Sequence, residues 1–183
     1  MPKWREDTYR LADGVSWPVK PGYVTFIADQ GAVRFDIPRG WIVEPGDKSI
    51  KIHDREPPDD TCVLEMSIFW LAADVDWSGL SLTELLLHAV EDPEQEVLSR
   101  GRPVYTRRGD LEIVWLETRC IDPGEHREAR SRCCIARRGT IQPLFTFDYW
   151  PEDAARVLPA WDELLRTLRL GEYVAMPVRR GRN

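Results

Sequence analysis

Between Phe145 and Leu170 the chain reads first as a strand and then, with almost no link, as a helix. Phe145, Phe147 and Tyr149 alternate with Thr146 and Asp148, the period-2 pattern of a strand with one buried face. Pro151 suits a first helical position, and Glu152 and Asp153 suit the positive end of a helix dipole. Ala154, Leu158, Trp161, Leu165 and Leu168 then recur at helical spacing as one apolar stripe. Pro159 removes a donor and crowds the carbonyl of Ala155, which predicts a kink or two short helices there. A strand that runs straight into a closing helix must lay that helix back across its own sheet. The segment therefore predicts the core of a fold and carries no chemistry.

A chain of 183 residues suits one domain and can bury roughly 70% of its unfolded surface. Hydrophobic content of 43% and eight tryptophans supply the material for that core. No run is long and apolar enough to span a membrane. The opening Met1-Pro-Lys-Trp-Arg-Glu-Asp lacks the apolar region of an export signal, and the adjacent pair Cys133-Cys134 does not resemble a secreted disulfide framework. Neighbours on a strand point to opposite faces, so the expectation is four free thiols in a reducing cytoplasm. A net charge of −6 argues against general nucleic-acid binding.

In chain order, residues 1–21 predict an irregular arm. Tyr23 to Ala28 and Ala32 to Ile37 predict strands around the turn Asp29-Gln30-Gly31, stopped by Pro38-Arg39-Gly40. Ser49 to Asp54 and Thr61 to Leu71 predict two more, joined by a proline-bearing loop. Ser81 with Glu84 forms a capping box, and Leu82, Leu85, Leu86, Ala89 and Val90 make one helical face that ends at Asp92-Pro93. Gln95 to Arg107 is weakly strand-like. Leu111 to Ile121 and Arg127 to Arg137 flank the turn Asp122-Pro-Gly-Glu125, and Arg138-Gly139 leads into Ile141 to Tyr149. Short turns between successive strands predict a mostly antiparallel β-sheet, with one central and one terminal helix able to cover opposite faces. The fold class is therefore α+β, arranged as an arm (1–21), a single domain (22–171) and a basic C-terminal tail (172–183).

The corner Phe35-Asp-Ile-Pro-Arg-Gly-Trp41 resembles the opening of PsbP-like domains, where a strand ends in an apolar-x-Pro-x-Gly-Trp turn. The ending resembles them too, in a strand, an aromatic, an acidic helix start and then Leu158-Pro-Ala-Trp-Asp-Glu-Leu-Leu-Arg-Thr-Leu168. The resemblance covers about residues 22–171. It implies an α/β/α sandwich and action by binding protein partners rather than by catalysis. It carries no functional residue across.

Four groups of residues are weighed as candidates for function. His53, Asp54, Glu56, Asp59 and Asp60 crowd one loop, which reads either as a solvated hairpin connection or as a site for a hard cation or an acid–base pair. Cys120, His126, Cys133 and Cys134 lack the spacing of structural zinc, and read instead as core thiols and a turn histidine. Arg119, Arg130 and Arg132 fall on one face of a hairpin, either as cross-strand partners of Glu117 and Glu128 or as a basic cluster for carboxylates or phosphates. Trp70 and Trp77 flank the loop Leu71 to Ser81 and are the tryptophans expected to be exposed. Nucleophile elbows and phosphate loops are missing from the sequence. The leading expectation is a non-catalytic cytoplasmic binding or assembly module with a protein partner and no cofactor, acting as a monomer or homodimer. A small metal-binding protein or enzyme built on the His53–Asp60 loop is the alternative.

Overall fold

A computed structural model describes residues 17–172. Most of the arm and nearly all of the tail expected from the sequence lie outside the described residues. β1 (Tyr23–Ala28) turns through a short 3-10 segment (Asp29–Gly31) into β2 (Val33–Pro38). There follow β3 (Ile42–Pro45), β4 (Ile50–His53), β5 (Cys62–Trp70), α1 (Leu82–Ala89), β6 (Val97–Arg100) and β7 (Val104–Arg108). β8 (Leu111–Ile121), β9 (Glu128–Arg137) and β10 (Ile141–Tyr149) come next. A 3-10 turn (Pro151–Asp153) then feeds α2 (Ala154–Thr167), and β11 (Arg169–Leu170) ends the fold.

All strand pairs are antiparallel. They form two sheets rather than one. β1, β2 and β11 make a three-stranded sheet, and the other eight strands run in the order β3-β4-β5-β10-β9-β8-β6, with β7 also paired to β8. The division falls at Pro38-Arg39-Gly40. Gly40 takes φ +93°, a left-handed conformation that favours glycine, and the Trp41 N–H donates back to the Pro38 carbonyl at 3.3 Å. That corner turns the chain out of the first sheet, so β3 starts the second.

β10 is hydrogen-bonded on both sides, with Tyr149 opposite Cys62 of β5 and Arg130 of β9. Phe145, Phe147 and Tyr149 are buried, as their alternation predicts. The Phe147 ring lies 5.4 Å from Trp161 of α2 and 6.3 Å from Trp41, which stacks nearly parallel to it. Phe35 of β2 meets Phe145 edge-on at 5.6 Å, which joins the two sheets through one core. Ile113 and Trp115 of β8 group with α2 in that core. Val114, Leu116, Cys133 and Ile135 group instead with Leu82 and Leu86 of α1, because successive strand residues point to opposite sides. Ser81 caps α1, its Oγ accepting the Glu84 N–H at 3.3 Å.

Four sequence expectations change. α2 is one helix through Pro159, which is exposed beside an exposed Ala155, so the carbonyl that loses its donor can be hydrated. Its buried face runs along Val157, Trp161, Leu164 and Leu168, while Ala154, Leu158 and Leu165 are only partly buried. α1 ends at Ala89, short of Asp92-Pro93. The weak pattern over Gln95 to Arg107 resolves into β6 and β7, separated by Gly101-Arg102-Pro103.

Trp161 is fully buried between Phe147 and Trp115. Trp161→Ala is expected to lower stability by about 3–5 kcal/mol, read from the shift in denaturation midpoint at constant slope. An unchanged midpoint would remove Trp161 from the centre of the core.

Candidate functional site

The β8–β9 hairpin places Glu117 opposite Arg132 and Arg119 opposite Arg130. These four side chains share the face that carries Trp115 and Cys134, the odd positions of β8 and the even positions of β9. The turn that sets this register is held by Asp122. Its Oδ1 accepts the N–H groups of Gly124 at 3.0 Å and Glu125 at 2.7 Å, an Asx-type closure.

Inside the hairpin the three arginines differ in depth. The Arg132 side chain is 13% exposed and lies over Trp115 at 5.0 Å and Trp161 at 5.9 Å. Its Nε donates to Glu117 Oε2 at 2.7 Å, and the Tyr149 hydroxyl donates to the same oxygen at 2.7 Å. Arg130 reaches Glu117 Oε1 at 3.4 Å, while its buried Nε has no hydrogen-bond acceptor. Outermost, Arg119 grips Glu128 with two parallel bonds of 2.9 and 2.8 Å. Three guanidinium groups thus share two carboxylates and leave one excess positive charge.

The electrostatics follow from these contacts. Burial pushes the Glu117 carboxyl up, but the hydrogen bonds from Arg132 and Tyr149 and the nearby guanidinium charges outweigh it, and its pKa falls below the ordinary value. Burial and the bond to Glu117 raise the Tyr149 phenol to about 12. Glu117 therefore stays ionised and Tyr149 stays protonated across neutral pH. The arrangement can clamp a carboxylate or phosphate at its outer end, and it offers no nucleophile or proton acceptor in mid-range.

The structure divides the His53–Asp60 loop instead of gathering it. His53 is buried, with Nδ1 2.9 Å from Asp60 Oδ2 and Nε2 3.0 Å from Glu44 Oε2. Asp54 turns away to accept the N–H groups of Thr61 and Cys62, both at 2.9 Å, and pairs with Arg156 at 2.7 Å. Glu56 and Asp59 are exposed. Three of these five residues thus serve two separate anchoring jobs, and the other two face solvent. Glu44 escapes the sequence pattern because β3 is a four-residue strand, exposed apart from Ile42 and ended by a proline.

Among the described residues, no three His, Cys, Asp or Glu side chains converge in a metal-holding arrangement. Cys133 and Cys134 point to opposite sides of the sheet, one beside α1 and the other in the main core. Trp70 is 52% exposed, whereas Trp77 is half-buried and donates its indole N–H to the Ala72 carbonyl at 2.8 Å. The tryptophan pair flanking that loop is therefore one open ring and one tied ring.

Two outcomes follow from this site. Because the folded Glu117 pKa is depressed, the stability it contributes is present above the ordinary glutamate pKa of 4.5 and is lost as pH falls through the lower folded value. Glu117→Gln is expected to lose about 1–3 kcal/mol at neutral pH, with the gap to wild type narrowing in acid. A gap independent of pH would assign the loss to shape and not to charge. All four cysteines are buried thiols, and burial raises Cys133 to about 12. A thiol reagent at mildly alkaline pH is expected to react slowly with native protein and to find four groups after unfolding without reductant. Finding two would reveal a disulfide.

Comparison with known proteins places this geometry in context. A relative from Nostoc sp. (strain PCC 7120), described as uncharacterized protein alr1449, is 39% identical over 176 residues, covering 96% of this chain and 91% of the relative. The solution structure of cyanobacterial PsbP (CyanoP) from Synechocystis sp. PCC 6803 superposes with a TM-score of 0.59 at 11% identity, covering 86% of this chain and 98% of that one. LpqN of Mycobacterium tuberculosis, described as involved in cell envelope biogenesis, superposes at 0.54 with 12% identity, covering 81% and 90%. At such identities the likeness is one of fold alone, and the fold is PsbP-like. Residues 24–174 match the Alr1449 family, and the chain belongs to it.

Proposed function

We propose that the protein is a non-catalytic binding module that docks an acidic surface of a protein partner at the open end of the β8–β9 hairpin. On this reading residues 22–171 act as one α/β/α sandwich in the cytoplasm, with α1 and α2 covering opposite sides of the large sheet. The observation that carries the reading is the graded arginine row. Arg132 is sunk onto two tryptophans, Arg130 carries a buried Nε without an acceptor, and Arg119 stands outermost with its side chain 45% exposed. A carboxylate from a partner can exchange with Glu128 for the outer face of Arg119, and so free Glu128 to approach the buried Nε of Arg130, which it already flanks at 3.9 Å. Such an exchange adds little energy at an exposed position, so the row favours a partner whose other contacts supply affinity.

Arg119 and Arg130 serve the partner, and Arg132 serves the core that holds them. The double variant Arg119→Ser with Arg130→Ser is expected to melt within about 2 °C of wild type, because exposed pairs contribute under about 1 kcal/mol. It is expected to lose the proteins that immobilised wild type captures. The triple variant that also carries Arg132→Ser is expected to lose capture and stability together. Undiminished capture by the double variant would move the docking surface elsewhere, with the Trp70–Trp77 loop next in line.

A further inference from the structure

Among the described residues the large sheet ends at β6 and β7, whose only ladder partner there is β8. This edge carries four of the exposed large apolar side chains of the described residues: Val97, Leu98, Val104 and Tyr105. The edge is not uniform. β6 shifts register between Val97 and Ser99, and Pro103, which has no N–H, follows it. Bulges and prolines are devices that block strand addition. β7 has neither. Val104, Tyr105, Thr106, Arg107 and Arg108 pair one for one with Trp115, Val114, Ile113, Glu112 and Leu111. A protein that guards one half of an edge and leaves the other regular, exposed and apolar presents a template for an incoming strand.

Charge selects the occupant. Among the described residues, Arg100, Arg102 and Arg107 make no ion pair, although the chain as a whole carries a net charge of −6. A second copy adding along this edge would bring two sets of the same arginines to one seam, which opposes self-pairing. An extended acidic segment meets them favourably. The alternation of β7 refines this further. Tyr105 and Arg107 face one side of the sheet, and Val104 and Thr106 face the other. The matching strand therefore sets carboxylates beside Arg107 on one face and apolar side chains beside Val104 on the other.

We infer that β7 is the site at which an extended, acidic and apolar strand of a partner protein adds to the sheet. The inference rests on the reading of the chain as a docking module, though not on the arginine row of the hairpin. Main-chain hydrogen bonds along Val104–Arg108 give affinity, and the Arg107 and Val104 positions give preference.

The test uses the full chain and a short blocked peptide alternating glutamate and valine, followed by amide shifts of the protein and by calorimetry. Shifts are expected to concentrate on Val104–Arg108. A peptide N-methylated at alternate residues keeps the charge but loses ladder donors, and it is expected not to bind. Arg107→Glu, which sets a carboxylate opposite Glu112 and so lowers the melting temperature by at most a few degrees, is expected to weaken the parent peptide about tenfold or more. The double variant Arg119→Ser with Arg130→Ser is expected to bind that peptide as wild type does. No binding of the parent peptide, equal binding of the N-methylated one, or indifference to Arg107→Glu would each overturn strand addition. Peptide binding abolished in the double arginine variant but kept by the N-methylated peptide would sink the edge and leave the hairpin reading standing. The reverse pattern, with protein capture undiminished in that variant, would sink the hairpin reading and leave the edge.

Discussion

The contact between Phe147 and Trp161 depends on β10 lying in the middle of the large sheet, and most of the molecule depends on that contact in turn. A strand hydrogen-bonded on both sides has no free edge, so its register is fixed from β5 and from β9 at once. With the register fixed, Phe145, Phe147 and Tyr149 must all face the same way. The chain then leaves β10 through Trp150 and a three-residue turn into α2, which leaves the helix no room to lie anywhere but on that row of rings. The small sheet is held by the same layer, through Phe35 against Phe145 and through β11, which pairs Arg169 and Leu170 with β2 directly after the helix. Local geometry and long-range packing thus enforce one another, which is the consistency that gives a chain a single native state.

The same core explains why the arginine row has depth. Trp161 touches Trp115, and Arg132 lies over both rings, so the inner guanidinium is positioned by aromatic packing before any charge is considered. Glu117 then receives Arg132 and Tyr149 together. A carboxylate with two donors on one oxygen is held in one orientation, and its second oxygen points at Arg130. Rigidity passes outward from tryptophan to arginine to glutamate to arginine. Of the three, only Arg119 is held solely by Glu128, which is itself half-buried. The hairpin therefore grades from core to solvent within two residue pairs.

How much of this could be read from the residues varied with the length of each element and with how much of it is buried. β1, β8 and β10 have the bounds the sequence suggests, because β1 and β8 are dense in β-branched and aromatic residues and β10 alternates over enough residues for period 2 to show. β3 and β11 left no signal. One is exposed on an edge and the other is two residues long, and neither buries a repeating face. The division into two sheets was hidden for a different reason. Pro38-Arg39-Gly40 reads as a stop, but a stop does not reveal which sheet the next strand joins. The arginine row was visible as a shared face. Its gradation was not, since it depends on Trp161 arriving from another element. Glu44 beside His53 was missed together with β3, and the crowded loop beyond His53 looked like one site because sequence adjacency conceals side-chain direction.

The distribution of positive charge separates what holds the molecule together from what it offers outward. Arg132, Arg137, Arg156 and Arg166 each meet a carboxylate, and Arg108 caps the end of α2 by donating to the carbonyls of Arg166 and Leu168. Arg156 and Arg108 tie α2 to the strands, Arg132 and Arg137 join β9 to β8, and Arg166 pairs within α2 itself. Along β6 and β7 the pattern changes, for Arg100 donates to the Val90 carbonyl and Arg107 to that of Gly109, and among the described residues neither makes an ion pair, although Glu112 stands opposite Arg107 in the ladder. An acidic chain has carboxylates to spare, so positive groups left without them on an exposed edge are not explained by scarcity. They serve solubility of an edge strand, or they serve recognition. The strand-addition reading takes the second, and its support is that Val104 and Tyr105 stay about half exposed beside these arginines even though the Tyr105 hydroxyl donates to Glu112 at 2.6 Å.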